Sequence, residues 1–120
     1  ENNINILCET RAEAVVSADV KLIDRLLGNL VSNGIRYARS EIKLSCEISD
    51  NNVIIKVSDD GSGIAKEDLP HIFERFYKGK GGKFGIGLSM ASDIAKLHKG
   101  RLEVASGENG TIFTLTLPQI

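Results

Sequence analysis

Two asparagines and an arginine recur at helical spacing in the first long amphipathic segment. Asn29, Asn33 and Arg36 fall along one stripe at about 100° per residue, beside an apolar arc that includes Leu26 and Leu30. Amide groups next to a core face are costly to bury without partners. Their carbonyl oxygens suit Mg²⁺, which takes its other ligands from water and phosphate. The stripe predicts a metal–phosphate edge, and a solvated helix face with two ordinary asparagines is the alternative.

An acidic, glycine-rich loop follows a hydrophobic strand. Alternate residues of 53–57 share one strand face with Asp59. A carboxylate that continues an apolar face needs hydrogen-bond donors, and the 6-amino group of adenine is one. Gly61 and Gly63 would let the backbone pass close to a base, where a Cβ would clash. Taken alone, the Asp-x-Gly-x-Gly pattern is more often a plain tight turn.

A flexible basic segment precedes the second predicted helix. Residues 78–88 combine glycines with lysines, and Gly85 and Gly87 open the helix, whose backbone amides would suit an anion. The segment is not a P-loop, because Lys83 is followed by Phe84 instead of Ser or Thr, and no strand leads into it.

Hydrophobic periodicity predicts alternating strands and helices around these clusters. Neighbouring strands are joined by turn residues, which predicts hairpins and an α/β fold, a two-layer sandwich with a mixed sheet and helices on one face. The predicted strands are 5–9, 41–49, 53–58, 101–106 and 111–117, and the predicted helices are 19–38, 66–76 and 87–98.

Composition narrows the class of protein. The chain has 120 residues with 42% hydrophobic and 26% charged residues, which fits a single soluble globular domain, 1–120. A net charge of −1 argues against nucleic acid as a partner. No apolar run is long enough to span a membrane. Cys8 and Cys46 lie in predicted strands and are expected to be free, small buried residues.

The clusters together resemble the motifs of one superfamily. Residues 25–38, RLLGNLVSNGIRYA, resemble the N box of sensor histidine kinases, whose superfamily includes DNA gyrase and the heat-shock chaperone and mismatch-repair ATPases. In the family's order there follow sequences that resemble the first glycine box (59–63), the F box (72–77), the second glycine box (85–87) and the last glycine box (110–111). Departures from the family pattern include Gly34 for alanine, Arg36 for lysine, Asp60 for asparagine and Lys99 for glycine.

The resemblance implies a Bergerat ATP-binding fold that binds ATP with Mg²⁺. Asn33 would coordinate Mg²⁺, Asn29 and Arg36 would meet the phosphates, Tyr37 would line the pocket and Asp59 would read adenine. The remaining nucleotide contacts would come from Gly61, Gly63, Ile64, Lys83, Gly85, Ile86, Gly87, Leu88 and Thr111. The catalytic residues would be Asn29, Arg36, Arg75 and Lys78, the last two facing phosphate or the acceptor histidine.

One substitution favours a kinase over an ATPase. The ATPase relatives place a water-activating glutamate one turn before the metal asparagine, where this chain has Asn29, a poor base. The family therefore implies phosphoryl transfer from ATP to a histidine, and then to an aspartate of a response regulator. His71 and His98 lack the flanking residues of the acceptor histidine. The acceptor is expected on a separate dimerisation domain.

Partners and location follow from the same resemblance. The full-length protein would be a membrane-bound homodimeric sensor, with this domain cytoplasmic and itself monomeric. Two alternatives remain open, an anti-sigma-type serine kinase and a degenerate nucleotide-binding module on the same fold. Arg75 in the F box argues against the first, and the short segment between Tyr77 and Gly85, together with Gly34, leaves room for the second.

Overall fold

A mixed sheet and two helices make up the described part of the chain. In the computed structural model the described residues are 5–10, 19–77 and 87–118. In chain order the elements are β1 (Asn5–Thr10), α1 (Val20–Tyr37), β2 (Glu41–Ser49), β3 (Asn52–Asp59), α2 (Gly87–Leu97), β4 (Arg101–Gly107) and β5 (Gly110–Pro118).

The described strands form one five-stranded sheet in the order β1-β2-β3-β5-β4. β1 runs parallel to β2, and the other neighbouring pairs are antiparallel, which confirms the predicted mixed sheet and both hairpins. Ser49 pairs with Asn52, so the first hairpin turns through Asp50 and Asn51 alone. Both have positive φ, 52° and 64°, as a two-residue turn that matches strand twist requires.

Helix α1 covers one face of the sheet through its apolar side. Its N-cap is Asp19, whose side chain accepts a hydrogen bond from the Leu22 amide at 3.2 Å, so the predicted start is confirmed. Leu26 and Leu30 have no solvent exposure. They share a core with inward-facing strand residues such as Phe113, and this packing fixes the direction in which the rest of α1 points.

Helix α2 lies beside α1 and packs on the same core. Its buried residues include Ala91, Ile94 and Ala95, at the helical spacing that the sequence predicted. The helix ends where Lys99 takes a left-handed φ of 62° and the Gly100 amide donates to Ala95 O at 2.9 Å. This bond satisfies one of the orphan carbonyls at the helix end.

The predicted helix over 66–76 is wrong. The structure has a three-residue 3₁₀ turn, Leu69–His71, within a series of turns. Pro70 lacks an amide hydrogen, and most of the backbone bonds here run to the third residue back, as from Glu74 to His71 O. Phe76 takes a left-handed φ of 66°, which no helix permits. Apolar spacing over so short a segment does not separate a helix from successive turns.

Two further expectations concern the cysteines and membranes. Cys46 is a free thiol, half-buried on the inner face of β2, and the Cys8 side chain lies outside the described residues. None of the described helices is long and apolar enough to cross a bilayer.

Candidate functional site

Asp59 ends β3 as a buried carboxylate on the inner face of the sheet. Its side chain is only 9% exposed, and Oδ1 accepts the Gly61 amide at 2.9 Å. Burial raises the pKa of Asp59 above its ordinary value. The Gly61 amide opposes that increase, the Asp60 charge adds to it, and the Thr111 amide opposes it. A buried acid with its pKa raised in this way gains from a further hydrogen-bond donor.

The backbone after Asp59 packs closely between the end of α1 and the β4–β5 hairpin. A Cβ at Gly61 would come within 2.2 Å of Tyr37 O, and a Cβ at Gly63 within 2.2 Å of Gly107 O. Gly63 also has a φ of 89°. The sequence explained both glycines by close approach to a base. The structure gives them a different reason, which is close packing against the protein's own backbone.

Ser106 joins this loop to the last hairpin, and the sequence did not single it out. Its Oγ accepts the Ile64 amide at 2.7 Å and lies 2.8 Å from Thr111 Oγ1. Thr111 is 2% exposed and pairs with Asp59 across the β3–β5 ladder. Asp59, Thr111 and Ser106 therefore form one row across three strands, at the end of the sheet where the loop begins.

Asp60 ties the same loop to the connection between α1 and β2. One carboxylate oxygen accepts the amides of Arg39, Ser40 and Glu41 at 2.8, 3.0 and 3.1 Å, and the other accepts the Ser40 hydroxyl at 2.7 Å. The amide and hydroxyl of Ser40 are the largest causes that hold the pKa of Asp60 well below its usual range. The departure from asparagine at this position thus has a structural role that the sequence did not indicate.

The polar stripe of α1 ends beside the start of α2. Asn33 is 9% exposed and lies on the face that carries Leu30, whereas Arg36 is exposed in the last turn. Asn29 Nδ2 donates to Gly87 O at 3.1 Å, so one of its amide hydrogens is used within the protein and one remains for another acceptor. The stripe is therefore anchored to the helix that the sequence predicted to carry an anion at its first turn.

Tyr37 follows the stripe and is half-buried. Burial raises its pKa, the Arg36 charge lowers it, and Asp68 and Asp59 raise it. Tyr37 therefore stays neutral at physiological pH and presents an aromatic surface with a polar tip near the Asp59 loop.

The segment 68–77 is closed by a side-chain pair. Tyr77 Oη donates to Asp68 Oδ1 at 2.5 Å, and this bond is the first cause that raises the pKa of Tyr77 to about 12. Asp68 is only 4% exposed. The pair joins the two ends of the segment that carries Arg75 and Phe76.

Ile72 and Phe73 are the hydrophobic anchors of this segment. Ile72 has no exposure and Phe73 packs edge-on to Phe113 with 6.3 Å between ring centroids. Phe76 lies outside the core, because its ring is 64% exposed, with the Arg75 guanidinium 5.5 Å from the ring centroid. The cation–π contact holds Arg75 at the surface, where its charge is available to a ligand or partner.

The remaining predicted residues fall into two groups. Ile64 and Leu88 are buried in the hydrophobic core, so any contact they make with a ligand is in addition to a packing role. Residues 78–86, which include Lys78, Lys83, Gly85 and Ile86, lie outside the described residues. No group of histidine, cysteine, aspartate and glutamate side chains among the described residues could hold a metal ion.

The two histidines have structural partners, as expected. His71 Nδ1 lies 2.8 Å from Glu74 Oε2 and the ring stacks on Tyr77. His98 Nε2 accepts the Asp19 amide at 3.0 Å, while Nδ1 donates to Ile94 O at 2.8 Å. His98 therefore joins the end of α2 to the start of α1.

Of the two residues that the sequence did not single out, Ser106 had a weak sequence signal and Asp68 had none. Ser106 continues the inward period of Leu102 and Val104 along β4, so a polar residue there predicts a specific partner. Asp68 precedes Leu69 and Pro70, and nothing in the local pattern indicates that it pairs with Tyr77.

Comparison with known proteins identifies the class that this fold and site define. Residues 18–120 match the family of histidine kinase-, DNA gyrase B- and HSP90-like ATPases, and the chain belongs to that family. Within it, the chain resembles the ATP-binding catalytic domains of sensor histidine kinases, as the sequence motifs predicted.

Individual relatives agree with this assignment. The signal transduction histidine-protein kinase AfsQ2 of Streptomyces coelicolor is 36% identical over 84% of this chain and 20% of its own length. The sensor histidine kinase CssS of Bacillus subtilis is 33% identical over 92% of this chain and 25% of its own length. The chain thus spans a quarter or less of these curated relatives.

A solved structure confirms the architecture. The nucleotide-free catalytic domain of the histidine kinase ThkA superposes with a TM-score of 0.86 at 33% identity, covering 98% of this chain and 81% of that one. The predicted α/β sandwich with a mixed sheet and helices on one face is confirmed.

Proposed function

We propose that this domain binds Mg-ATP between its helices and its sheet and donates the γ-phosphoryl group to a histidine on a separate helical domain. The observation that carries the proposal is the buried Asp59 carboxylate, held by the Gly61 amide on the same side of the sheet as the Asn29–Asn33–Arg36 stripe. The names of the relatives, which are histidine kinases, support the acceptor chemistry.

Asp59 is suited to recognise the base. Its raised pKa reflects burial, and the 6-amino group of adenine would donate to it and restore the lost solvation. Guanine presents an acceptor oxygen at the corresponding position, which a carboxylate would repel. Adenine selectivity would follow from this one side chain and from the rigidity of the loop that holds it.

The α1 stripe is suited to the triphosphate. Asn33 offers an amide oxygen that fits Mg²⁺, and the amide hydrogen that Asn29 does not give to Gly87 can reach a phosphate oxygen. When bound, Mg²⁺ supplies neutralisation of the charge that develops on the transferred group. Arg36 and Arg75 are exposed cations, and they are proposed to meet the phosphates together with Lys78 and Lys83.

The chain's own contribution to transfer is positioning and charge. No carboxylate stands at the Asn29 position, so water near the γ-phosphate lacks a general base and hydrolysis should be slow. The phosphoryl group is thereby retained for a histidine acceptor. A response regulator would then take it from that histidine in the full-length, homodimeric sensor.

Titration calorimetry with ADP and GDP, with and without Mg²⁺, tests the binding site. Asn33→Ala should lose most of the gain in ADP affinity that Mg²⁺ gives the unaltered chain. Asp59→Asn should narrow the ADP preference over GDP. Ser32→Ala and Asp24→Asn, at exposed positions of α1, are matched controls that should change neither quantity. The absence of any ADP binding by the unaltered chain would refute the proposal.

Phosphoryl transfer is tested with γ-labelled ATP. The chain alone should take up no stable label, because neither His71 nor His98 is placed as an acceptor. Addition of the helical domain that carries the acceptor histidine of the same kinase should yield acid-labile label on that domain. Stable label on this chain alone would contradict the assigned reaction.

A further inference from the structure

Ser106 stands in one row with the two residues proposed to face the base. It continues the inward face of β4 after Leu102 and Val104 and pairs with Thr111 on β5, which in turn pairs with Asp59 on β3. A serine on an otherwise apolar face indicates a specific hydrogen-bonding role. Its position places that role at the end of the sheet where the loop 59–64 leaves.

The hydroxyl of Ser106 lies within hydrogen-bond distance of three partners, the Ile64 amide, the Thr111 hydroxyl and, at 3.5 Å, the Gly110 carbonyl. Its oxygen accepts the Ile64 amide at 2.7 Å and lies 2.8 Å from the Thr111 hydroxyl. A hydroxyl has one hydrogen to donate, and the Ile64 amide can only donate. The Ser106 hydrogen can go to Gly110 O at 3.5 Å or to Thr111 Oγ1 at 2.8 Å. When Ser106 donates to Thr111, the closer acceptor, the Thr111 hydrogen remains for a ligand.

The loop is thereby held at both ends. At its start, Asp59 Oδ1 accepts the Gly61 amide at 2.9 Å, and at its far end Ser106 holds Ile64. Between them, Gly63 lies against Gly107 O with no room for a Cβ. Removal of the Ser106 hydroxyl would free the Ile64 end and leave a half-buried amide without its acceptor.

We propose that Ser106 is the positioning residue for base recognition, which it controls by fixing the loop 59–64 and by orienting the Thr111 hydroxyl. Ser106 need not touch the nucleotide itself, and it acts through Ile64 and Thr111. The inference rests on the proposed function, because it concerns how the adenine site is shaped.

The experiment compares Ser106→Ala with Ser106→Thr, which keeps a hydroxyl, and with Ser58→Ala. Ser58 lies on the opposite face of the sheet, where its hydroxyl donates to Lys43 O at 3.4 Å, so it is a matched loss of a strand serine. Calorimetry with Mg-ADP and Mg-GDP gives the affinities. Amide hydrogen exchange at Ile64 reports directly on the hydrogen bond from the Ile64 amide to Ser106 Oγ.

Ser106→Ala should weaken ADP binding about tenfold, the effect of one lost hydrogen bond with an unsatisfied amide. It should also reduce the ADP preference over GDP and speed exchange at Ile64. The ADP affinity of Ser106→Thr should stay within about threefold of that of the unaltered chain, and that of Ser58→Ala within about twofold, since both variants keep the hydrogen bond from Ile64 to residue 106. A merely structural loss would weaken both nucleotides by one factor, leaving the preference intact.

Several outcomes overturn the inference. An unchanged ADP affinity and preference in Ser106→Ala, or an equal loss for ADP and GDP, would show that Ser106 does not position the base site. If Ser106→Ala does not fold, Thr111→Val takes its place, since it removes only the Thr111 hydroxyl. An unchanged ADP preference over GDP in Thr111→Val contradicts the inference. Failure of the unaltered chain to bind ADP would instead refute the proposed function.

Discussion

Several turns among the described residues hold a residue with positive φ, and two of them differ in whether glycine stands there. Gly63 has a φ of 89° in the loop after β3, and Lys99 has a φ of 62° after α2. The resemblance to sensor histidine kinases implies glycine at both positions. Only the second position has exchanged glycine for another residue.

The surroundings of each turn explain the difference. A Cβ at Gly63 would lie 2.2 Å from Gly107 O. In the second turn it is the next residue, Gly100, that lies against backbone, because a Cβ there would be 2.1 Å from Thr116 O. Lys99 is exposed, so its side chain extends into solvent and only the backbone strain remains. Contact with neighbouring backbone, more than the sign of φ, therefore decides where glycine is required.

The largest expected effect is that of Gly63→Ala. The added Cβ meets a carbonyl that belongs to a paired strand, and the left-handed φ adds strain, so we expect a loss of about 2–4 kcal/mol in the free energy of unfolding. ADP binding should fall with it, because the loop that carries Asp59 must shift. Urea unfolding and calorimetry measure the two effects.

Gly28→Ala is the matched control for this substitution. Gly28 lies within α1 with no atom within 4 Å of an added Cβ. Alanine there should increase the free energy of unfolding by about 0.5–1 kcal/mol through helix propensity. Equal stabilities for the two variants would contradict the argument from contact.

The fold was largely predictable because its signals are periodic. The helical spacing of Leu26 and Leu30 reflects burial against one face, and both are fully buried. The strand alternation in 41–49 reflects the same cause in its first half, where Ile42 is buried, whereas Ile48 near the end of β2 is exposed. The segment 66–76 was not predictable in the same way. Its turns depend on Pro70, on the left-handed Phe76 and on the long-range fit of Ile72 and Phe73 to the core.

The motif residues of the candidate site were predictable from the sequence, whereas the residues that hold them in place were not. Asp59 and Asn33 stand where their strand and helix periods place them. Ser106 accepts a hydrogen bond from Ile64, which is 42 positions away in the chain. Asp60 accepts one from Ser40, which is 20 positions away. Local spacing contains no information about such pairs, since they depend on which strands become neighbours.

A middle-sized effect is expected at Asp60, which supports the Gly61–Gly63 turn from its other side. Its carboxylate accepts the amides of Ser40, Glu41 and Arg39, so its pKa is lowered in the folded state. A lowered pKa adds stability above the ordinary aspartate value of about 3.9, and that stability is lost as pH falls toward the folded pKa. Asp60→Asn keeps one acceptor oxygen and should lose less stability than Asp60→Ala.

Urea unfolding at pH 7 and at pH 3.5 distinguishes the effect of the Asp60 charge on stability from that of the side chain's shape. At pH 7 the unaltered chain should be more stable than Asp60→Asn, and the difference should shrink at pH 3.5. Glu47→Gln, at an exposed position of β2, controls for general effects of removing an acid. A difference that stays the same at both pH values would exclude the charge of Asp60 as its cause.

The smallest expected effect is that of Lys99→Gly, and it sharpens the contrast with Gly63. Glycine removes left-handed strain of about 1–2 kcal/mol but increases the entropy of the unfolded chain, so the net gain should be at most about 1 kcal/mol. ADP affinity should not change, because the turn lies at the end of α2 away from the Asp59 loop. Lys99→Ala loses the same charge and keeps the Cβ, so it should give no gain. If alanine stabilised the domain as much as glycine does, removal of the lysine charge would be the cause, and backbone strain at Lys99 would be excluded.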